Sequence, residues 1–156
     1  MTEPAREYRY QVDRDGRVFH DGTEIVDPAV LRFFLRAMTQ TDDGRCLVLC
    51  QGERNWFEAA DTPFVVQRLR LSVEGSTLQA VELGFPGDYR EPLDPRTLET
   101  DHDLLFCRIR GGAFRARFGR VAVQQLAPFL SETGDGSVLL MLGAHYPVRR
   151  GVSAAS

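Results

Sequence analysis

The chain has 156 residues and a formal net charge of −3, with 43% apolar and 26% charged residues, which is typical of one globular domain or two small ones. The acidic balance argues against binding duplex nucleic acid through a basic surface. The longest apolar runs are far shorter than the roughly 18–20 residues that a membrane span needs, so no membrane partner is expected.

The cysteines and the start of the chain bear on cellular location. The first 16 residues are polar and lack the apolar segment of a secretory signal. The three cysteines, Cys46, Cys50 and Cys107, are an odd number, which a disulfide framework does not explain. On a strand, Cys46 and Cys50 would lie about 13 Å apart, too far for one zinc ion to bind both. We expect a cytoplasmic protein whose cysteines are buried, reduced and free of metal.

The first half of the chain predicts strands around one helix. Tyr8, Tyr10 and Val12 alternate with polar residues, as in a half-buried strand. Further strands are predicted over 17–20, 23–26, 46–50 and 54–59. Asp27 and Pro28 are typical of a helix N-cap and first helical position, and apolar residues follow them at helical spacing.

The second half predicts a similar mixture. Hairpins are predicted over 64–73 with 77–85 and over 104–110 with 113–118, and final strands over 137–142 and 145–149. Residues 86–100 contain three prolines and are typical of a long connection. A helix is predicted over 121–130, and Pro128 within it predicts a kink or an early end because proline removes a helical hydrogen bond.

The two halves match at a shift of 92 residues. The positions that recur unchanged are Thr41, Asp43, Gly44 and Leu47, which fall on Thr133, Asp135, Gly136 and Leu139. The helical residues Leu31, Phe34 and Met38 fall on Val123, Leu126 and Leu130. This pattern predicts an α+β fold of duplicated ββαββ-type units, with mostly antiparallel sheet or a partial barrel. Chance recurrence of helix, turn and strand is the alternative.

The predicted domain organisation follows from the duplication. An N-terminal repeat unit with an extra hairpin would span 7–84, a C-terminal repeat unit would span 101–150, and 85–100 would connect them. One helix against few strands buries little apolar surface. The two units are therefore expected to pack on each other.

The strongest chemical signal is the hairpin around Gly111 and Gly112. If these two residues form a two-residue loop, Arg108 faces Arg115 on one side of the hairpin, and the other side is entirely apolar. Residues 104–131 contain five Arg and no Asp or Glu. Like charges that face each other destabilise a sheet, so something must compensate them.

Two sources of compensation are open. Acids elsewhere in the chain, such as Asp61 or Glu58, could pair with the Arg side chains. Alternatively, a bound phosphate or carboxylate could do so, since the guanidinium group binds such anions through two hydrogen bonds. Trp56 and Tyr146 are candidate stacking partners for a ligand. The candidate ligand-binding residues are Arg108, Arg110, Arg115, Arg117, Arg120, Asp61, Phe64, Trp56 and Tyr146.

Catalytic and metal-binding signatures are missing from the sequence. No Ser lies in a G-x-S-x-G segment, and no phosphate-binding loop ending in Lys can exist because the chain has no Lys. The three His residues lie near turns without the spacing of metal ligands. We therefore predict no enzyme activity, no cofactor and no metal site.

Four segments carry a resemblance to a known family. In order they are DRDGRVFHDGTEI, EAADTPFVV, IRGGAFRARFGRV and GAHYPV, and the likeness runs from about Val12 to Val148. They resemble the bacterial family catalogued as domain of unknown function twelve-eighty-five. The resemblance implies a duplicated fold, a C-terminal half loosely like pleckstrin-homology domains, and no assigned activity.

The resemblance also implies a ligand site between the two halves, for a nucleotide-like molecule, and a role in signalling. When the family's site is carried over to the matching positions of this chain, the resemblance implies that the site residues are Asp61, Pro63, Phe64, Arg110, Arg117 and Arg120.

Two functional hypotheses follow. The first is a non-catalytic cytoplasmic ligand-binding or signalling module that holds an anionic ligand, nucleotide-like or a small acid, between its halves. The second is a protein-protein interaction module whose Arg-rich hairpin face binds an acidic protein partner.

Overall fold

Two helices and 17 strands make up the computed structural model, which describes residues 6–151. The first five residues, part of the segment in which no secretory signal is predicted, lie outside this range. Most strand pairs are antiparallel, and no sheet within the described residues closes into a barrel. The predicted α+β class is confirmed. Unit 1 comprises the described residues up to Pro63 together with Pro86–Tyr89, and unit 2 comprises Phe64–Phe85 and the described residues from Arg90 onward.

Unit 1 is one six-stranded sheet with one helix, α1, at Pro28–Ala37. Its strands are β1 (Glu7–Val12), β2 (Val18–His20), β3 (Thr23–Ile25), β4 (Thr39–Gln40), β5 (Cys46–Cys50) and β6 (Glu53–Ala59). The strand order is β3-β2-β1-β6-β5-β4. Only β1 and β6 pair in parallel, so the sheet joins the first and last strands of the unit.

The start and the buried side of α1 follow from local sequence. The Asp27 carboxylate accepts a hydrogen bond from the Ala29 amide at 2.9 Å, and Pro28 is the first helical residue, as predicted. Phe34 is buried, and its ring lies 5.0 Å from that of Phe57. This ring packing fixes the helix on the sheet.

Unit 2 contains the second helix, α2, at Arg120–Leu126, and three sheets. Its strands are β7 (Val65–Val66), β8 (Arg68–Glu74), β9 (Thr77–Phe85), β10 (Tyr89–Pro92, which begins at the unit boundary), β11 (Glu99–Asp101), β12 (Leu104–Ile109), β13 (Phe114–Phe118), β14 (Leu130–Thr133), β15 (Gly136–Met141), β16 (Ala144–Pro147) and β17 (Arg149–Arg150). The sheet orders are β10-β9-β8, β17-β11-β12-β13-β7 and β14-β15-β16.

Helix α2 is short because of proline and is held by a glutamine. It ends at Leu126, and a 3-10 turn at Ala127–Phe129 continues the chain, as expected from Pro128. The Gln125 side chain donates to the Leu69 carbonyl at 3.0 Å and accepts from the Leu69 amide at 2.7 Å. The side-chain amide thus bonds the β8 backbone as a neighbouring strand would, and it anchors α2 to β8.

The topology of the two units repeats. In each, the helix is followed by a three-stranded antiparallel meander, β4-β5-β6 or β14-β15-β16. In unit 1, β1 pairs in parallel with β6, and in unit 2, β11 pairs in parallel with β17. Phe34 and Leu126, related by the shift of 92 residues, are both buried. These common features support the duplication, although unit 1 has three strands rather than two on each side of its helix and unit 2 has more.

The structure differs from the prediction between 64 and 101. The hairpin of β8 and β9, assigned from sequence to the N-terminal repeat, belongs to unit 2. The segment 86–100, predicted as a connection, contains β10 and most of β11. Its prolines misled the prediction because proline is compatible with a strand end or a 3-10 turn, and Pro92 ends β10 while Pro95 begins such a turn.

Candidate functional site

The Arg-rich hairpin of β12 and β13 has the predicted register. Ile109 pairs with Phe114 and Arg108 with Arg115. Gly111 and Gly112 have φ values of 66° and 97°, as a type I′ turn requires at both central positions. The glycine pair therefore fixes which Arg side chains share a face.

Arg115 is neutralised by two carboxylates of unit 2. Its Nε lies 3.0 Å from Oε1 of Glu99, and its Nη2 lies 3.0 Å from Oδ2 of Asp101. Its guanidinium carbon also lies 3.5 Å above the ring of Phe106. The hydrogen bond from Arg115 lowers the pKa of Asp101 below its usual range, although burial acts in the opposite direction. No bound anion is needed to balance this Arg.

Arg110 and Arg117 are also engaged within unit 2. The Nε of Arg110 lies 3.6 Å from Oε1 of Glu91, and its guanidinium lies 5.4 Å from the ring centre of Phe64. Arg117 is buried at 8% exposure. By contrast, Arg108 and Arg120 are exposed, and within residues 6–151 neither forms an ion pair.

The aromatic candidates are dispersed. Phe64 is fully buried, with its ring 4.9 Å from that of Phe114. Tyr146 is half-buried on β16 opposite Leu139. Phe64 thus meets Arg110 in the core of unit 2.

Two other predicted residues, Trp56 and Asp61, line one cavity of unit 1. Its volume is about 240 Å³, and Arg45 and Glu58 also line it. The guanidinium carbon of Arg45 lies 3.8 Å from the ring centre of Trp56. This contact is a cation-π interaction, which holds the Arg45 side chain over the indole.

The register of β5 and β6 explains this cavity. Leu47 pairs with Trp56, so Arg45, two residues before Leu47, is the diagonal neighbour of the indole on the same face. Sequence reasoning missed Arg45 because it directly follows the Asp43-Gly44 turn. The available signal was the antiparallel register itself, which fixes the diagonal pair once the two strands are known.

The cysteines lie in different surroundings. All three are free thiols, and Cys107 is fully buried, which raises its pKa to about 12. Cys46 is buried, lines the cavity of unit 1, and also has a pKa raised by burial. Cys50 is only half-buried, so the prediction that all three are buried is wrong at this position. It is the last residue of β5, beside the exposed Gln51-Gly52 turn, where the sheet no longer covers it.

Residues 6–151 contain neither a membrane-spanning helix nor a cluster of metal-binding side chains. None of the helices in this range has the length and apolar character needed to cross a membrane. No group of three or more His, Cys, Asp or Glu side chains there has an arrangement that could hold a metal ion.

The repeated strand-helix-strand units define a mixed α+β fold that is also found in solved structures. A DUF1285 family protein from Silicibacter pomeroyi DSS-3 superposes with a TM-score of 0.70 at 18% identity, over 95% of this chain and 84% of that chain. A DUF1285 family protein from Shewanella baltica OS155 gives a TM-score of 0.60 at 12% identity, over 76% of this chain and 90% of that chain. The chain therefore has the fold of these DUF1285 proteins, and the sequence resemblance is confirmed at the level of the fold.

Comparisons of sequence alone add no further relative. No family model matches the chain, and no curated protein matches it significantly.

Proposed function

We propose that this protein is a non-catalytic cytoplasmic ligand-binding module whose cavity in unit 1 binds a small molecule bearing a carboxylate or phosphate group. The observation that carries the proposal is the position of Arg45. Its guanidinium is stacked on Trp56 in the cavity, and within residues 6–151 it forms no ion pair. Stacking orients the planar group and leaves its N–H donors available for an anion.

The size of the cavity favours a small acid over a nucleotide. Pockets for drug-sized ligands measure about 300–1,000 Å³. At about 240 Å³, this cavity lies below that range. Of the two ligand classes expected from the sequence, the small acid is the better match.

The Arg-rich hairpin is less suited to this role. Arg115 and Arg110 have carboxylate partners, and Arg117 is buried. An interaction with an acidic protein would depend on the two exposed residues, Arg108 and Arg120. We therefore rank protein-protein interaction second.

The test is isothermal titration calorimetry with a panel of small carboxylates and inorganic phosphate. We expect at least one of them to bind the wild type, and we expect Arg45→Gln to weaken that binding by about tenfold or more, because a charge-assisted hydrogen bond is lost. The control is Arg70→Gln, which changes an exposed Arg on β8 and should leave the affinity unchanged. Binding that survives Arg45→Gln would contradict the proposal.

A further inference from the structure

The cavity of unit 1 contains a negative group directly across from its positive one. Cys46 of β5 pairs with Phe57 of β6, so the next residues outward, Arg45 and Glu58, are cross-strand neighbours. Such neighbours point to the same face of a sheet, with Cβ atoms about 5 Å apart. Both side chains line the cavity. The opposite charges therefore belong to one site.

These two neighbours do not neutralise each other. Within the described part of the chain, neither Arg45 nor Glu58 forms an ion pair, although cross-strand neighbours of opposite charge commonly do. Instead, the Arg45 guanidinium is held over Trp56. The stacking directs the positive group along the diagonal of the sheet, away from the carboxylate opposite it.

A second carboxylate adds to the negative side. Asp61 also lines the cavity, and its Oδ1 accepts a hydrogen bond from the Thr62 amide at 2.7 Å, which orients the carboxylate. The cavity is then lined by one guanidinium group and two carboxyl side chains. A ligand with only an anionic group would bring its charge near Glu58, which forms no ion pair within residues 6–151, whereas a ligand with an added cationic group would offset that charge.

We infer that the ligand is a zwitterion, an α-amino acid or another small aminocarboxylate. Its carboxylate binds Arg45, and its ammonium group is bound by Glu58 with support from Asp61. The cavity volume of about 240 Å³ suits a molecule of this size. This inference rests on the proposed function, because it assigns a second charge to the ligand of the same cavity.

The experiment compares matched ligands by calorimetry at neutral pH. The proteinogenic amino acids are screened first, and each one that binds is compared with its desamino acid and with its decarboxylated amine. We expect the amino acid to bind about tenfold or more tightly than either analogue, since each analogue loses a charged hydrogen bond. Equal affinity of the amino acid and its desamino acid would overturn the inference.

Two variants separate the inference from the proposed function. Glu58→Gln should remove the advantage of the amino acid over its desamino acid while leaving affinity for the desamino acid unchanged or improved. Arg45→Gln should weaken both ligands. If acids bind through Arg45 but amino acids gain nothing from their ammonium group, the zwitterion inference fails and the proposed function stands. If neither acids nor amino acids bind, both fail.

Discussion

The Nη2 atom of Arg115 lies 3.0 Å from Oδ2 of Asp101, so a hydrogen-bonded ion pair joins β13 to β11, two strands of one sheet. The bond from Arg115 lowers the pKa of Asp101 against the opposing effect of burial. Glu99 also contacts Arg115, and His102 contacts Asp101. A carboxyl group whose pKa is lower in the folded state than in the unfolded state stabilises the fold when it is ionised.

The stability of the protein should therefore depend on Asp101 in a pH-dependent way. The contribution is fully present above the unfolded pKa of about 3.9 and is lost as the pH falls through the lower folded-state pKa. We expect Asp101→Asn to lower the melting temperature at pH 7 and to lower it progressively less as the pH decreases below about 4. The measurement is thermal unfolding followed by circular dichroism. A difference in melting temperature between wild type and variant that stays constant over this pH range would contradict a stabilising role for the ion pair.

The two facing Arg residues of the hairpin should respond differently to neutralisation. Arg115→Gln leaves Glu99 and Asp101 without their cation and should reduce the free energy of unfolding by about 2 kcal/mol, a typical value for hydrogen bonds to charged groups. Arg108→Gln is the matched control, because Arg108 is exposed opposite Arg115, and it should be neutral or slightly stabilising. Urea denaturation measures both. Equal losses of unfolding free energy in the two variants would contradict a stabilising role for the ion pairs of Arg115 with Glu99 and Asp101.

Gly87 should be the glycine that tolerates a methyl group least. A Cβ atom there would lie 2.5 Å from the Arg32 amide nitrogen and 2.6 Å from the Pro28 carbonyl oxygen of α1, and the residue has a φ of +75°. Gly75, with a φ of +63° and nothing within 4 Å of a Cβ atom, is the control. We expect Gly75→Ala to reduce the free energy of unfolding by about 1 kcal/mol because of backbone strain. Gly87→Ala should reduce it by about 3 kcal/mol or more, because overpacking against α1 adds to the same strain. Similar costs in the two variants would argue against close packing at α1.

The side-chain amide of Gln125 should stabilise unit 2 more than its neighbour does. Gln125→Ala removes both hydrogen bonds to the Leu69 backbone and should reduce the free energy of unfolding by about 1–3 kcal/mol, because the partly buried amide and carbonyl lose their partner. Gln124 is exposed on the same helix, and Gln124→Ala should change stability by less than about 0.5 kcal/mol. Chemical denaturation compares the two variants, and a neutral Gln125→Ala would refute the anchoring role.

The three thiols should react with an alkylating reagent in a fixed order. Cys50 is half-buried and should react first, whereas Cys107 is fully buried with a pKa raised to about 12 and should not react in the native state. Cys46, buried with a raised pKa, should react slowly. Mass spectrometry after timed labelling checks the order. Cys50→Ser should abolish the fast phase, and a fast phase that persists would contradict the assignment.

The features that could be predicted from sequence are the local ones. Asp27 and Pro28 specify the start of α1, and the glycine pair after Arg110 specifies the register of the Arg-rich hairpin. Pro128 specifies the early end of α2. In each case residues adjacent in the chain determine the backbone conformation.

The partners of Arg115 could not be predicted, because the turn that brings them near has no glycine. Between β11 and β12 the turn residues are His102 and Asp103, with φ values of 50° and 64°. A tight hairpin turn with two positive φ values is normally recognised by Asn or Gly. Without that signal, the sequence placed Glu99 in a connection and left its pairing with the hairpin unrecognised.

Long-range pairing was the other gap. Two-residue β7 pairs in parallel with β13, and Arg45 meets Trp56 only because β5 and β6 are in a particular register. β7 has too few residues for a recognisable period, and although β5 and β6 were predicted as strands, their register was not. The candidate site therefore emerged from the structure, although the sequence had already indicated Trp56 and Asp61.

The position of Gly87 also determines which segments of the chain must be kept together. Pro86–Tyr89 belongs to unit 1, although the chain before and after it belongs to unit 2, and the Gly87 carbonyl accepts a hydrogen bond from Arg32 of α1 at 2.8 Å. A recombination breakpoint after Pro63 would separate α1 from this segment. Neither unit is a contiguous stretch of the chain, so replacing only the residues up to Pro63 would change α1 without the segment that it contacts.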